Sequence, residues 1–405
     1  VLYASMGVDA ADFWAQYDHM YIPELGHNVS VTDYAHTLYI RASWTDFNPQ
    51  EDVYGWKIDS NLRAYIEGAY QRNMRLAFRV VVDSRDKRTE FTPQFVKDAG
   101  AKGFMNKGKW SPYSDDPVFQ KYYTKFVKAL AKDFNDPSKV EFIDGFGLGK
   151  WGEYHTMIYS TGDDTPKKAV FDWVTDIYSQ VFDKVPVVIN YHRWIGAGKD
   201  WVDDEHFAAD SEEMLEEAIK KGYSLRHDAF GMTTYYGSWE RRFAKKYRNI
   251  CPIIMEGGWI VKSHSYWQDP RGYRKDSHED VRRGEFDDSK EAHVNMMDFR
   301  FGDTESWFKD AFDLVRRFLR EGGYRLYPSE ISLPLEVSKK TTPTIKHCWN
   351  NLGWGYCPTN IPQWNQKYKV AFALLDSETN EVRYTFVDTN TDLSKWIKGS
   401  PVEYV

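Results

Sequence analysis

The sequence predicts an α/β fold: a (β/α)8 TIM barrel over residues 1–334, with an irregular N-terminal segment, and a small sandwich-like all-β domain over residues 335–405. Three observations carry this. Short apolar runs alternate with amphipathic helical stretches from about residue 37 to about residue 330, the pattern of a parallel sheet with helices outside it. That span suits an eight-fold barrel of the usual size, about 250 residues, with insertions. After Pro334 the helical periodicity stops, and two alternating runs, 369–375 and 382–388, flank a polar turn. An open doubly wound sheet is the competing architecture, but no glycine-rich phosphate loop opens an early helix.

The elements follow in order. The first 36 residues are aromatic and weakly periodic, so they are expected to wrap the barrel end, with an extra helix near 10–17. Residues 37–44, T-L-Y-I-R-A-S-W, give the first clear strand, and 75–84 the second. The helix between them, 58–72, places Leu62, Tyr65, Ile66 and Ala69 on one face. The third strand is hidden somewhere in 85–116, with 91–96 and 103–105 as its two candidate places. Helix 117–134 carries Phe119, Tyr122, Tyr123, Phe126, Val127 and Leu130 on its expected apolar side. Strand four is 140–146, and helix 165–182 has Pro166 in its first turn. Strands five, six and seven are 185–191, 229–233 and 251–255, with helices 211–221 and 239–247 between them. A polar insertion, 262–289, reads as a solvated loop. Helix 304–321 and a strand at 324–327 complete the expected barrel.

Composition narrows the function classes. The 405 residues are 28% charged and 42% hydrophobic, and the net charge is −7 with no long basic run. Nucleic acid is therefore not the expected partner, and no apolar run is long enough to span a membrane. Aromatics reach 17%, with 16 Trp and 27 Tyr, which suits stacking on the flat faces of sugars. The chain shows no signal peptide and begins with Val rather than Met; a processed start and a periplasmic or secreted location are the expectation. Cys251 lies in an apolar run, whereas Cys348 and Cys357 flank a Gly- and Trp-rich segment and would bridge in an oxidising compartment. No Cys-x-x-Cys or His-x-x-x-His spacing is present, which counts against zinc chemistry; no cofactor or catalytic metal is expected, and a calcium held by scattered carboxylates stays open.

The chemistry centres on residues 144–156, D-G-F-G-L-G-K-W-G-E-Y-H-T. An apolar strand stops in glycines, and Glu153 stands just beyond the strand end, where a barrel keeps its catalytic groups. The segment I-I-M-E-G-G-W repeats this logic and marks Glu256. The two glutamates lie 103 positions apart. At roughly 31 residues per βα unit, they fall after strands four and seven. Two carboxylates facing each other across a cleft are the minimum machinery for cleaving a glycosidic bond, provided one is protonated and the other ionised. Trp151 and Tyr154 are expected to desolvate Glu153, and Arg79 or a neighbouring Tyr to keep Glu256 ionised. Substrate-binding groups are expected from the strand ends: Trp44 and Arg79, then Trp151, Tyr154 and His155. Asn190 and His192 follow, then Tyr235, Tyr236 and Trp259. Arg41 and Asp228 read as members of structural ion pairs.

Glutamates after strands four and seven resemble the arrangement of the GH-A clan of retaining glycoside hydrolases. The motif W-x-x-F-N-P-x-E-x-x-Y-x-W-x-I-D, Trp44 to Asp59, resembles the first strand and helix of several of its members. The chain is also similar to an uncharacterised family of bacterial barrel proteins with a G-x-W-G-E-W-H block, here Gly149 to His155 with Tyr154 in place of the second Trp. That family also carries a late G-Y-R block, here Gly323 to Arg325, and a small β domain after it. The resemblance implies a retaining hydrolase of a β-linked oligosaccharide or polysaccharide, with Glu153 as acid/base and Glu256 as nucleophile. One departure matters: the clan's Asn before the acid/base is Gly152 here, so Asn190 or His155 would have to hold the sugar 2-hydroxyl.

Basic groups cluster where strand-end loops are expected: Arg85, Lys87 and Arg88, then His192 and Arg193, then Arg271, Arg274 and Lys275. They suggest a galactoside or an acidic plant or algal glycan, with the 262–289 insertion covering the cleft. Two other readings stay open: a non-catalytic carbohydrate-binding barrel, and a lyase or isomerase using Glu153 and His155 as base and acid. Sugar identity, linkage and oligomeric state are not legible.

Overall fold

The computed structural model describes the chain apart from residues 86–88, 199–204, 233–234, 260–277 and 301–302. Eight parallel strands make the frame: β1 (Leu2–Ser5), β2 (Thr37–Ser43), β3 (Arg75–Val81), β4 (Val140–Asp144), β5 (Val187–Asn190), β6 (Ser224–Phe230), β7 (Ile253–Gly257) and β8 (Met296–Asp298). Their spatial order is their chain order. The ends meet: Leu2 bridges Phe299 in parallel, and the Val1 ammonium donates to the Met297 carbonyl at 2.8 Å. The result is a (β/α)8 barrel.

A helix follows every strand: α1 (Ala10–Asp18), α2 (Ser60–Gln71), α3 (Pro117–Phe134), α4 (Lys167–Val181), α5 (Glu205–Lys220), α6 (Ser238–Tyr247), α7 (His278–Glu291), then α8 (Thr304–Asp310) and α9 (Phe312–Glu321). Short polar residues start them. Asp59 accepts from the Leu62 amide, and Asp116 from the Phe119 amide just ahead of Pro117, each satisfying a donor the helix end leaves open. Helix α3 buries Phe119, Tyr123, Phe126, Val127 and Leu130 along one stripe, the face its spacing predicts. Among the described residues, no helix is long and apolar enough to cross a membrane.

The strand count differs from expectation at both ends. The first barrel strand is β1, inside the segment expected to be irregular; four residues are too few for a periodic signal. The run at 37–44 is therefore the second strand and 75–84 the third, and the described residues of 85–116 add no strand to the barrel. They hold instead an antiparallel hairpin, Gly103–Asn106 with Lys109–Pro112. The eighth strand is the three-residue β8, not 324–327. That later run belongs to β9 (Leu326–Ser332), which pairs antiparallel with β10 (Lys346–Asn351). The expected helix 304–321 is broken at Ala311 into α8 and α9. Most of the 262–289 insertion lies outside the described residues, and from His278 it is helix α7 rather than loop.

Beyond β10 come β11 (Val370–Leu375) and β12 (Val382–Asp388), a separate antiparallel pair, and β13 (Val402–Tyr404), which adds to β10. Trp354 anchors this region by donating its indole N–H to the Val294 carbonyl at 2.8 Å. Asn360 donates to the Ile250 carbonyl at 2.7 Å. Both acceptors precede strands, so the small sheets sit at the N-terminal end of the barrel, away from the strand C-termini. Cys251, Cys348 and Cys357 are free thiols.

Strand alternation sorts the barrel interior into layers. Tyr39, Ala77, Phe142, Val188 and Ile254 form an apolar floor with Val1 and Tyr3. Two residues further along each strand stand Arg41, Arg79, Asp144, Asn190 and Glu256. Arg226 and Asp298 join them from β6 and β8. A charged layer thus rests directly on an apolar one, at the strand C-terminal ends.

Candidate active site

Glu153 is held by a tightly folded loop after β4. Gly147, Gly149 and Gly152 all take positive φ, and so do Trp151, Tyr154 and Thr156 at 58°, 60° and 50°. Glycine is required at 147, where a Cβ would stand 2.6 Å from the Val80 carbonyl of β3. Left-handed backbone at a non-glycine residue costs about 1–3 kcal/mol and persists where surroundings over-determine it. Here the anchors are explicit. The Tyr154 amide donates to the Leu148 carbonyl at 3.0 Å, and Arg41 donates to the Trp151 carbonyl at 3.1 Å. His192 Nε2 donates to the Glu153 carbonyl at 2.7 Å. Its Nδ1 accepts from the Trp194 amide at 3.1 Å, which fixes the tautomer.

Arg79 is the hub. It is fully buried, and its Nε meets Asp144 at 2.7 Å, its Nη1 meets Glu153 Oε1 at 2.9 Å, and its Nη2 lies 3.6 Å from Glu256 Oε2. One guanidinium therefore spans the two glutamates. Arg226 pairs with Glu256 and, at 3.0 Å, with Asp298. Arg41 stands 3.7 Å from Glu153, and Arg300 stands 3.7 Å from Glu256.

The two carboxyls experience opposite fields. Burial, then the neighbouring carboxylate of Asp228, push Glu153 up to about 7. Burial also opposes ionisation of Glu256, but the combined field of Arg226, Arg79, Arg41 and Arg300 outweighs it and holds that carboxyl below its ordinary value. Asp298 moves up through burial and then the charge of Glu256. At neutral pH one glutamate thus keeps a proton for about half the time, while the other is an anion.

Seven of the sequence-predicted residues meet here: Glu153, Glu256, Arg79, Trp151, His155, Asn190 and His192. His155 Nε2 faces Glu153 Oε2 at 3.4 Å, and its ring meets the edge of half-buried Trp151. Asn190 exchanges two hydrogen bonds with Asp228, through its amide N–H and its carbonyl. Tyr235, half-buried, and Trp259, exposed, stand on the loops after β6 and β7.

Three others do not belong to the cleft. Trp44 is fully buried outside the sheet, ringed by Phe95, Phe119, Tyr123 and Phe126; it begins a helical turn, so its side chain leaves the barrel interior. Tyr154 packs on Phe146 and Phe171, with its hydroxyl directed to the Lys167 carbonyl. Tyr236 stacks on Phe230 and bonds the Tyr191 hydroxyl. Of the basic rim, Arg85 is neutralised by Asp83 and Arg193 by Glu240, whereas Lys87, Arg88, Arg271, Arg274 and Lys275 lie outside the described residues.

Arg226, Asp144 and Asp298 were missed as site residues, and Asp228 and Arg41 were taken for structural ions. For Arg41, Asp144, Arg226 and Asp298 the signal was present: each is a charged residue two positions after an apolar or small one on the same strand.

Ligand atoms of Glu153, His155 and Asp228 lie within 4.8 Å of one another, a donor set a divalent cation accepts. The trio is internally engaged, however: Asn190 donates to Asp228, and His155 faces Glu153. This geometry serves a shared proton, and no metal role follows from it.

No family model matches the sequence, and no curated protein matches it significantly. Remote likenesses exist among solved structures. An exo-β-1,4-mannosidase, Op5Man5 from Opitutaceae bacterium strain TAV5, is 12% identical with a TM-score of 0.43, covering 76% of this chain. This chain spans only 55% of that protein's length. Endo-glycoceramidase II from Rhodococcus sp. is 13% identical with a TM-score of 0.42, over 97% of this chain and 90% of that one. An endogalactoceramidase is 12% identical with a TM-score of 0.36, over 84% and 81%. At such distances these likenesses add nothing to the architecture, which rests on the strand order of the barrel itself.

Proposed function

We propose that the protein is a retaining glycoside hydrolase acting on a β-linked glycan, with Glu153 as acid/base and Glu256 as nucleophile. The observation that carries this reading is the pairing of two glutamates, from β4 and β7, across Arg79 with opposite protonation. Arg79 contacts both, at 2.9 Å from Glu153 Oε1 and 3.6 Å from Glu256 Oε2, so the two carboxyls face one another across a single side chain. In the first step Glu256 attacks the anomeric carbon while Glu153 gives its proton to the departing glycosidic oxygen. Glu153, now ionised, then takes a proton from water, and that water displaces Glu256 from the sugar. Its position near 7 suits both duties, since an acid/base works best when poised near the operating pH.

The cleft favours an anionic sugar, a uronate or sulfate ester. Arg41 and Arg300 are partly exposed, and a uronate or sulfate would pair with them at the cleft even though Asp144, Asp228 and Glu256 balance much of the buried guanidinium charge. These two arginines replace the loop residues as the reason for that preference. A 2-deoxy-2-fluoro glycoside tests the mechanism: fluorine slows breakdown of the covalent intermediate. Peptide mapping should recover the label on Glu256, and Glu256→Gln should lose turnover and labelling while still binding glycan. Label on another residue, or turnover in the variant, overturns the assignment. Glycan binding without turnover by the native protein would favour the carbohydrate-binding barrel instead.

A further inference from the structure

We propose that Asp228, on β6, is the positioning residue of the acid side: its carboxylate accepts the hydrogen bond of protonated Glu153, and so keeps the proton and the carboxyl orientation ready for the leaving oxygen. This rests on the glycosidase reading and adds to it a residue that no part of the two-glutamate mechanism requires.

The geometry comes first. Asp228 sits two positions after Arg226, where β6 loses its regular register with β7, and its side chain faces the Glu153 side of the barrel interior. A carboxylate oxygen of Asp228 lies within 4.8 Å of one from Glu153 and of a His155 ring nitrogen. Asp228 is pinned from below: Asn190 at the end of β5 donates to its Oδ1 at 3.0 Å, and its own amide donates to the Asn190 side-chain carbonyl at 3.2 Å. Such a double tie fixes a short side chain in one rotamer. A purely structural carboxylate would be expected to face an arginine or lysine. Among the described residues its ion-pair contact is instead His227, 3.5 Å away. Burial holds His227 down to about 3, and its Nδ1 accepts the Ala229 amide, so that ring is neutral and gives Asp228 no cation.

The charges facing the pair divide cleanly. Glu153 meets Arg79 from β3 and Arg41 from β2, with His155 on its own loop and His192 bonded to its carbonyl. Glu256 and Asp144 share Arg79 from the far side. Two guanidiniums alone would strip the proton from Glu153. Asp228 opposes them: two carboxyls this close share one proton rather than ionise together. The hydrogen bond from Glu153, with the fields of His155 and Arg79, outweighs burial and holds Asp228 well below its ordinary value. The proton therefore resides on Glu153.

The test is the pH dependence of kcat/KM in Asp228→Asn. Loss of the acid's proton sets the basic limb. Removing the like charge should move that limb to lower pH by about one unit or more. Natural glycans at neutral pH should lose about tenfold, and substrates that need no protonation should lose little. A merely structural residue would lower activity at every pH and leave the limb in place; that result overturns the proposal. Infrared titration of the protonated carboxyl band absent from Glu153→Gln reads the same proton without turnover. If Asp228→Asn folds poorly, Asp228→Ser gives the same readout in a smaller side chain. A band that titrates near neutrality in the native protein, and lower in the variants, supports the proposal even where no glycan is cleaved, which would fault the hydrolase reading alone. An unchanged band refutes it even in an active enzyme.

Discussion

Replacing Glu153 by Gln should stabilise the protein, and the gain should depend on pH in a defined way. Glu153 is buried, and burial with Asp228 raises it from 4.5 to about 7. A group whose folded value is raised contributes stability that is complete below its unfolded value and is lost as pH rises through the folded value. In the native protein the loss therefore runs from about pH 4.5 to about pH 7. At about 1.4 kcal/mol per pH unit, it totals about 3 kcal/mol. Glutamine has nearly the shape of the protonated acid, retains a donor for Asp228 and never ionises. The variant should match the native protein near pH 4 and exceed it by about 3 kcal/mol above pH 8. Urea denaturation followed by tryptophan fluorescence, native against variant at each pH, isolates the Glu153–Asp228 pair, because Gln keeps the donor to Asp228 and groups away from the pair titrate alike in both. A difference of constant size across the range, or one that grows toward acid, would refute the field assigned to Glu153.

Two further outcomes follow from the site. Glu153→Ala should lose about 10²–10⁴-fold on natural glycans but far less on aryl glycosides whose leaving groups depart unprotonated. With azide added it should yield a glycosyl azide of retained configuration; equal loss on both substrate types would exclude the acid role. Matched neutral and uronylated or sulfated oligosaccharides, compared at low and high ionic strength, should show a preference for the anionic form that weakens with salt, because Arg41 and Arg300 are partly exposed. A neutral preference indifferent to salt would remove the anionic substrate and leave the hydrolase intact.

The architecture was legible where elements are long. Helix α3 and strands β2 and β3 follow their sequence periods closely, because burial of one face dominates their composition. Strands β1 and β8, with four and three residues, are too short to carry a period; their pairing energy comes from neighbours, which the local sequence does not contain. The glutamates were nevertheless placed after strands four and seven, since the overlooked first strand offset the third strand sought in residues 85–116. Trp44, Tyr154 and Tyr236 show the limit at the site. Each stands beside a strand end, and aromatic character alone does not tell a sugar platform from core. Trp44 opens a helical turn, and Tyr154 occupies left-handed backbone; both conformations redirect the side chain in a way composition does not reveal.

The division of labour between two chemically identical glutamates has one structural origin. Arg79 cannot supply it, because it touches both. Nor can burial, which opposes ionisation in each case. The difference lies in what β6 sends to either side. Arg226 goes to Glu256, where a second close guanidinium overcomes desolvation and keeps that carboxyl charged. Asp228, two residues later, goes to Glu153, where a carboxylate cancels the pull of Arg79 and Arg41. Arg226 lies in the regular part of β6 and Asp228 in the irregular stretch that follows it, and the strand's position between β4 and β7 lets it reach both glutamates. A single strand thus sets the acid and the anion of the pair. Exchanging the charges of Arg226 and Asp228 would be expected to reverse the protonation pattern before it altered the fold's layers, because the apolar floor beneath them, from Tyr39 to Ile254, does not depend on either charge.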